Sequence, residues 1–334
     1  MTTGGAQVLT PAGDDAVLPF EVAALDVRGR AVQMGPALDA ILAGHSYPDS
    51  VSKLLGEALV LAVLLGTSLK FDGKFILQTE TDGPVDMLVV DYHTDGGLRA
   101  YARFDAARVA AADELGTATP SALLGSGILA MTIDQGPHTS RYQGIVPLEG
   151  NSLEDVAHIY FRQSEQIPTR IRLAVAELHD RQDGVMSRKW RAGGVMIQFF
   201  PSSPERARTA DLPGGDAPEG VETVEDVEED DAWVEAQSLV GTIEDHELTD
   251  PAVPSERLLF RLFHEHGVRV FSSVAVVDRC SCSREKVAGL LRSFSEEEIA
   301  DSIEDGRIAV TCEFCGKAYT FDPNDFSGAG GASP

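Results

Sequence analysis

Two hydrophobic periods alternate along this chain, and their changeovers set its expected elements. Residues 1–17 are rich in Gly, Ala and Asp with little pattern and are expected to fray, after which residues 20–32 alternate as an opening strand does. Behind Asp49 and Ser50, either of which can cap a helix, Leu54, Leu55, Ala58, Leu59, Ala62 and Leu65 recur at helical spacing. Asp72-Gly73 within residues 70–75 is a hairpin signal. Asp82-Gly83-Pro84 leads into a strand over 85–92, and Asp95-Gly96-Gly97 into another over 98–104. Residues 128–134 and 142–148 read as two strands around Gly136-Pro137. Ser152, with Asp155 three positions on, opens a helix carrying Val156, Ile159 and Tyr160. Strands over 171–178 and 194–200 complete the sheet. An antiparallel meander behind a helix predicts an α+β core domain over 18–201 rather than a doubly wound sheet.

The pattern breaks after Phe200. Pro201-Ser202-Ser203-Pro204 begins a linker, expected over 202–254, in which no Lys or Arg occurs between Arg208 and Arg257. The like-charge block at 225–231 should resist compaction, so 205–230 reads as a disordered spacer. Trp233, Ala236, Leu239, Val240 and Ile243 recur at helical spacing, which predicts a metastable helix over 231–248 that forms when docked. Pro254-Ser255 starts a helix with Leu258, Leu259, Leu262 and Phe263, ended by Gly267. A run over 268–276 that alternates or is apolar and leads into Cys280, two short helices capped by Ser283 and by Ser295 with Glu298, and a strand over 307–311 make a small α+β domain at 255–323. Residues 324–334 read as a disordered tail.

Charge narrows the partners. The 334 residues carry 53 acidic against 27 basic groups, a net charge of -26, which disfavours nucleic acid. No signal peptide is visible, and the apolar stretch at 58–69 is about a dozen residues, too short to span a bilayer. A cytoplasmic protein with no membrane partner is expected. No Gly-x-Ser-x-Gly elbow occurs, Gly125-Ser126-Gly127 is too short for a phosphate loop, and His45, His93, His138, His158 and His179 lack ligand spacing. Arg170 and Arg172 suit either an anion anchor or a solvated strand face. The chain does not read as an enzyme.

All four cysteines lie near the C-terminus, as Cys280-x-Cys282 and Cys312-x-x-Cys315. Two close pairs allow a tetrathiolate metal site, two disulfides or a cluster ligand set. Cys312-x-x-Cys315-Gly316 fits a zinc knuckle, and residues i and i+2 of an extended segment can aim both remaining sulfurs at one ion. Soft thiolates in tetrahedral array select zinc, so Cys280, Cys282, Cys312 and Cys315 are the expected metal ligands. Arg279, Arg284, Lys286 and Lys317 lie close in sequence and can favour thiolate. Spacing alone points to a structural zinc. A zinc-ribbon protein with a nucleic-acid or protein-binding role, and a thiol oxidoreductase using Cys312 and Cys315, are the competing readings.

The whole pattern resembles the 33-kDa heat-shock chaperonin family of redox-regulated zinc holdases. The match rests on residues 54–59 with 69–74, on Gly144-Ile145-Val146-Pro147-Leu148, on residues 163–169, on Arg191-Ala192-Gly193-Gly194, and on both cysteine pairs. It covers roughly residues 18–323. The long acidic linker and Gly-rich tail depart from the family pattern. The resemblance implies an ATP-independent chaperone whose reduced, zinc-bound form is inactive. It further implies that oxidation forms Cys280–Cys282 and Cys312–Cys315 disulfides, releases zinc and unfolds the C-terminal domain and linker. Unfolded or misfolded clients then bind under oxidative stress, with a homodimer as the implied active form.

Overall fold

The apolar run expected as a core helix extends from Asp49 to Ser68, and two six-stranded sheets are built around it. The computed structural model describes residues 12–136, 139, 141–182, 185–201 and 229–326. Strands β1 (Ala16–Val22) and β2 (Val27–Met34) lead to helices α1 (Pro36–Ala43) and α2 (Asp49–Ser68). Strands β3 (Lys74–Thr81), β4 (Val85–His93) and β5 (Gly97–Phe104) follow, then helices α3 (Ala106–Glu114) and α4 (Pro120–Leu124). Strands β6 (Gly127–Asp134) and β7 (Tyr142–Pro147), helix α5 (Leu153–Tyr160) and the long hairpin of β8 (Thr169–Gln182) and β9 (Val185–Phe199) complete this part. One sheet runs β1-β2-β9-β8 and the other β5-β4-β3-β6-β7, antiparallel within each of these runs. The α+β expectation holds.

Helix α2 packs on strands of both sheets, and its Leu54, Leu55, Leu59, Leu61 and Leu64 are almost wholly buried there. Truncating such a leucine to alanine costs about 2–5 kcal/mol. The helix is longer than its apolar pattern suggested. At 20 residues and mean hydropathy 1.6 it passes for a membrane span by length and composition, but 78% of its apolar window is buried. Burial, not length, makes it a core helix.

Other expectations shift in detail. The opening strand begins at Ala16, and a 3-10 turn at Ala23–Leu25 with Asp26 in the left-handed region (φ 52°) folds residues 20–32 into two strands. Asp72-Gly73 leads into β3 rather than closing a hairpin; Asp82-Gly83-Pro84 makes the β3–β4 turn. Helices α1, α3 and α4 are additions, the last two opened by the side chains of Asp105 and Thr119.

The acidic segment docks as two helices, α6 (Asp231–Gly241) and α7 (Asp245–Thr249), followed by α8 (Ser255–Phe263). The spacer expected at 205–230 lies, except for its last two residues, outside the described residues, as do 327–334. Trp233, Ala236, Val240, Ile243 and Leu248 form a second core with Phe20, Val195, Ile197 and Phe199 of the sheet and Leu258, Leu259 and Phe263 of α8. The polar contacts reach the docked backbone. Gln33 donates to the Val253 carbonyl (2.8 Å), Arg191 to that of Thr249 (3.1 Å), and Arg172 to the Asp245 carboxylate (3.0 Å). Arg172 also pairs with Glu154, so the anion it anchors is internal. A Cβ at Gly193 would stand 2.1 Å from the Leu248 carbonyl oxygen, so this close approach requires glycine.

Residues 268–276 do not form one strand. β10 (Arg269–Val270) and β11 (Val274–Ala275) pair with β1, and β12 (Val277–Asp278) pairs in parallel with β5. Only two residues pair at each point because the strap must cross from one sheet to the other. Residues 255–278, grouped by sequence with the cysteine domain, thus have their strand pairing and helix packing on the large sheets.

Two outcomes follow. Gly193→Ala accelerates hydrogen exchange over 231–253 while leaving β2 and β9 protected; unchanged exchange there would refute the close approach as the seat of docking. Burial pushes the Glu57 carboxyl on α2 up to about 7, with Lys53 opposing and Glu154 and Asp245 reinforcing. Because its folded value lies above the ordinary 4.5, the stability it contributes is present below pH 4.5 and is lost as pH rises through about 7. Glu57→Gln therefore stabilises the protein by on the order of 1–3 kcal/mol at about pH 8 and far less at about pH 4, read from urea unfolding.

Candidate metal centre

The two cysteine pairs are brought together by a module with little core of its own. Helices α9 (Arg284–Leu291) and α10 (Glu296–Asp301) start at Ser283 and Ser295, the second with a capping box to Glu298, as expected. Strands β13 (Ile303–Glu304), β14 (Arg307–Thr311) and β15 (Ala318–Phe321) form a small antiparallel sheet. Leu291, Ile299, Ile308, Tyr319, Phe321 and Phe326 are its buried cluster. Cys312–Gly316 is the tip of the β14–β15 hairpin, where the Gly316 amide donates to the Cys312 carbonyl (2.8 Å) and Cys312 N–H to that of Lys317 (3.0 Å). Gly316 adopts φ 66°, and a Cβ there would stand 2.3 Å from the Gly44 carbonyl oxygen after α1. The other pair follows β12, where the Arg279 amide donates to Leu98 of β5 (2.8 Å). Cys280 and Cys282 sit just beyond a strand rather than within one.

The four sulfurs lie within 4.8 Å of one another, with Cys280 and Cys312 3.7 Å apart and Cys282 and Cys315 3.5 Å apart. A tetrahedral ion with metal–sulfur bonds of about 2.3 Å needs sulfur–sulfur edges of about 3.8 Å. The set fits such an ion. All four residues are half-buried free thiols. Burial pushes the Cys315 thiol up to about 12 and raises Cys280. Burial also acts on Cys282, but hydrogen bonds from Tyr319 Oη (3.1 Å) and the other thiols outweigh it and bring that thiol down to about 7. A single thiolate is easily held among these groups, and further ones call for a cation.

Geometry and sequence comparison converge here. A family model described as Hsp33 protein matches residues 15–322. The chain belongs to the Hsp33 family. It is 46% identical to a 33 kDa chaperonin of Caulobacter vibrioides over 313 residues, covering 93% of this chain and 95% of that protein. It is 35% identical to a 33 kDa chaperonin of Pseudomonas fluorescens over 315 residues, 92% of each. The crystal structure of a Thermotoga maritima 33 kDa chaperonin matches with a TM-score of 0.70, covering 94% of this chain and 97% of that one. At 19% identity that likeness speaks for the fold alone.

In this Hsp33-family chain the cations near the cysteines in sequence meet groups around the cluster and beyond it. Lys286 donates to the Ser281 carbonyl (2.7 Å), Arg279 pairs with Asp95, Arg284 lies over the Phe321 ring, and Lys317 over that of Tyr319. Residues that sequence reasoning passed over also touch the site. Tyr319 reaches Cys282, and His45 Nε2 lies 3.2 Å from the Phe314 carbonyl oxygen, which makes it the donor there. His45 comes from 269 positions away, so no local pattern could have marked it.

Cys312→Ser or Cys315→Ser lowers metal affinity and loosens residues 279–326 without oxidant. Tyr319→Phe, which removes one hydrogen bond and no ligand, lowers affinity by about tenfold. Chelator competition on zinc-loaded protein reads both, and tight stoichiometric loading of either cysteine variant would refute a four-sulfur site.

Proposed function

We propose that this chain is a redox-regulated, ATP-independent holdase of the cytoplasm, inactive while reduced and zinc-bound. The observation that carries this reading is the convergence of every cysteine of the chain on one tetrahedral cluster in a module with six buried core side chains. Structural zinc contributes about 10 kcal/mol or more to folding in small modules, comparable with the roughly 5–15 kcal/mol stability of a whole domain. A core this thin does not outlast its cross-link. Cys280, Cys282, Cys312 and Cys315 would hold the ion. Bound zinc supplies a tetrahedral cross-link that keeps all four sulfurs as thiolates.

Thiolate is the form that attacks peroxide. In each pair two thiolates lose two electrons and join as a disulfide; the peroxide O–O bond breaks and leaves as two hydroxides. The family pattern favours Cys280 with Cys282 and Cys312 with Cys315. The shortest sulfur contacts run across the pairs, but once the cluster opens loop closure favours near neighbours. With the module unfolded, the strap leading to it keeps only its two-residue pairings to the large sheets, and α6 and α7 are held by the second core and a few polar contacts to Gln33, Arg172 and Arg191. Their departure uncovers Phe199, Ile197 and Val195, a sheet face suited to unfolded or misfolded clients. A homodimer is the active form the family pattern favours.

Oxidation of the zinc-loaded protein should release zinc and, with the same time course, suppress aggregation of a thermally unfolding client followed by light scattering. Zinc release without protection would sink the holdase reading. Equal protection by reduced and oxidised protein would sink the switch.

A further inference from the structure

Arg99, on β5 of the large sheet, touches both halves of the cysteine constellation. Its Nη1 donates to Ser281 Oγ (3.0 Å), the residue between Cys280 and Cys282. Its guanidinium lies 3.8 Å from the ring centroid of Phe314, between Cys312 and Cys315. Tyr101, two residues along the same face, meets Phe314 edge-on at 4.9 Å, and His45 reaches its carbonyl. Arg99 is itself fixed: Asp91, 3% exposed, accepts from its Nε (2.8 Å) and Nη2 (2.5 Å).

We propose that Arg99 is a positioning residue of the metal site, through which the large sheet clamps the two cysteine turns at metal-binding spacing. This rests on reading the four cysteines as a zinc site. A dication with four thiolates carries two net negative charges, which a guanidinium at the cluster's edge offsets. Arg99 can contact Ser281 and Phe314 together only while the two turns lie as close as one ion holds them. Docking and metal binding are therefore linked, and linkage is reciprocal: docking tightens the metal, and metal strengthens docking. The contact is separate from the linker, which covers the other sheet.

The test uses the full chain loaded with zinc and titrated with a chromogenic chelator. Arg99→Lys keeps charge but loses the planar face and fork, and is expected to weaken zinc about tenfold or more. Phe314→Ala, which leaves the Arg99–Asp91 pair intact, is expected to weaken it severalfold. The double variant should lose less than the two single losses combined, since both remove one clamp. Chelation of the parent should accelerate hydrogen exchange in β5. Zinc affinity within about twofold of the parent in both single variants overturns the proposal, as does a loss confined to Arg99→Lys, which would trace to the disturbed Arg99–Asp91 pair, since Lys74 still lies 3.6 Å from Asp91. A parent that takes up no zinc overturns the metal reading itself, a result distinct from either.

Discussion

Burying α2 between two sheets is the constraint on which the rest of the structure depends. The helix uses up the inner face of each sheet, so whatever the second half of the chain does must happen on the faces left over. The β1-β2-β9-β8 sheet presents Phe20, Val195, Ile197 and Phe199 outward, an apolar surface that would be wet without cover. The acidic helices supply it. On the other sheet the outward residues Arg99 and Tyr101 are amphipathic, and the cysteine turn rests there instead. Two attachments, one apolar and one polar-aromatic, divide the two outer faces between them.

The attachments differ from the core in kind. The core cluster spans both sheets and α2 as one continuous body, while the cysteine module has six buried side chains and the docked linker a single narrow stripe. Stability is therefore graded along the chain, high where burial is deep and conditional where the core is thin or shared with a neighbour. The strap of β10, β11 and β12 joins the two conditional parts, and each of its pairings is two residues long. A disturbance at the cysteines has a short path to the linker.

How much of this the sequence displays depends on the range of the interaction. Local signals served well: the caps at Ser152, Ser283 and Ser295, the stripe of Trp233, Ala236 and Val240, and the cysteine spacing all correspond to observed features. Alternation over residues 20–32 and 268–276 was misleading. A tight turn in one case and a change of sheet in the other interrupt strands without interrupting the apolar pattern. The contacts of Arg99, His45 and Tyr319 with the cysteine site join residues distant in sequence or hidden in a strand. Nothing beside them in the sequence marks them.

The seat of α7 has a consequence for how this protein can change over generations. Gln33 and Arg191 hold carbonyl oxygens at Val253 and Thr249, and bare Gly193 lies against that of Leu248. Every residue type offers the same carbonyl. Around α7 the docked segment is thus gripped in part by backbone atoms that mutation does not alter, while its buried stripe stays fixed and its outward side chains are free to drift in composition. The seat has no such freedom, because a methyl group at 193 is enough to obstruct it. Variation is tolerated on the outward side of the docked segment and penalised at its seat.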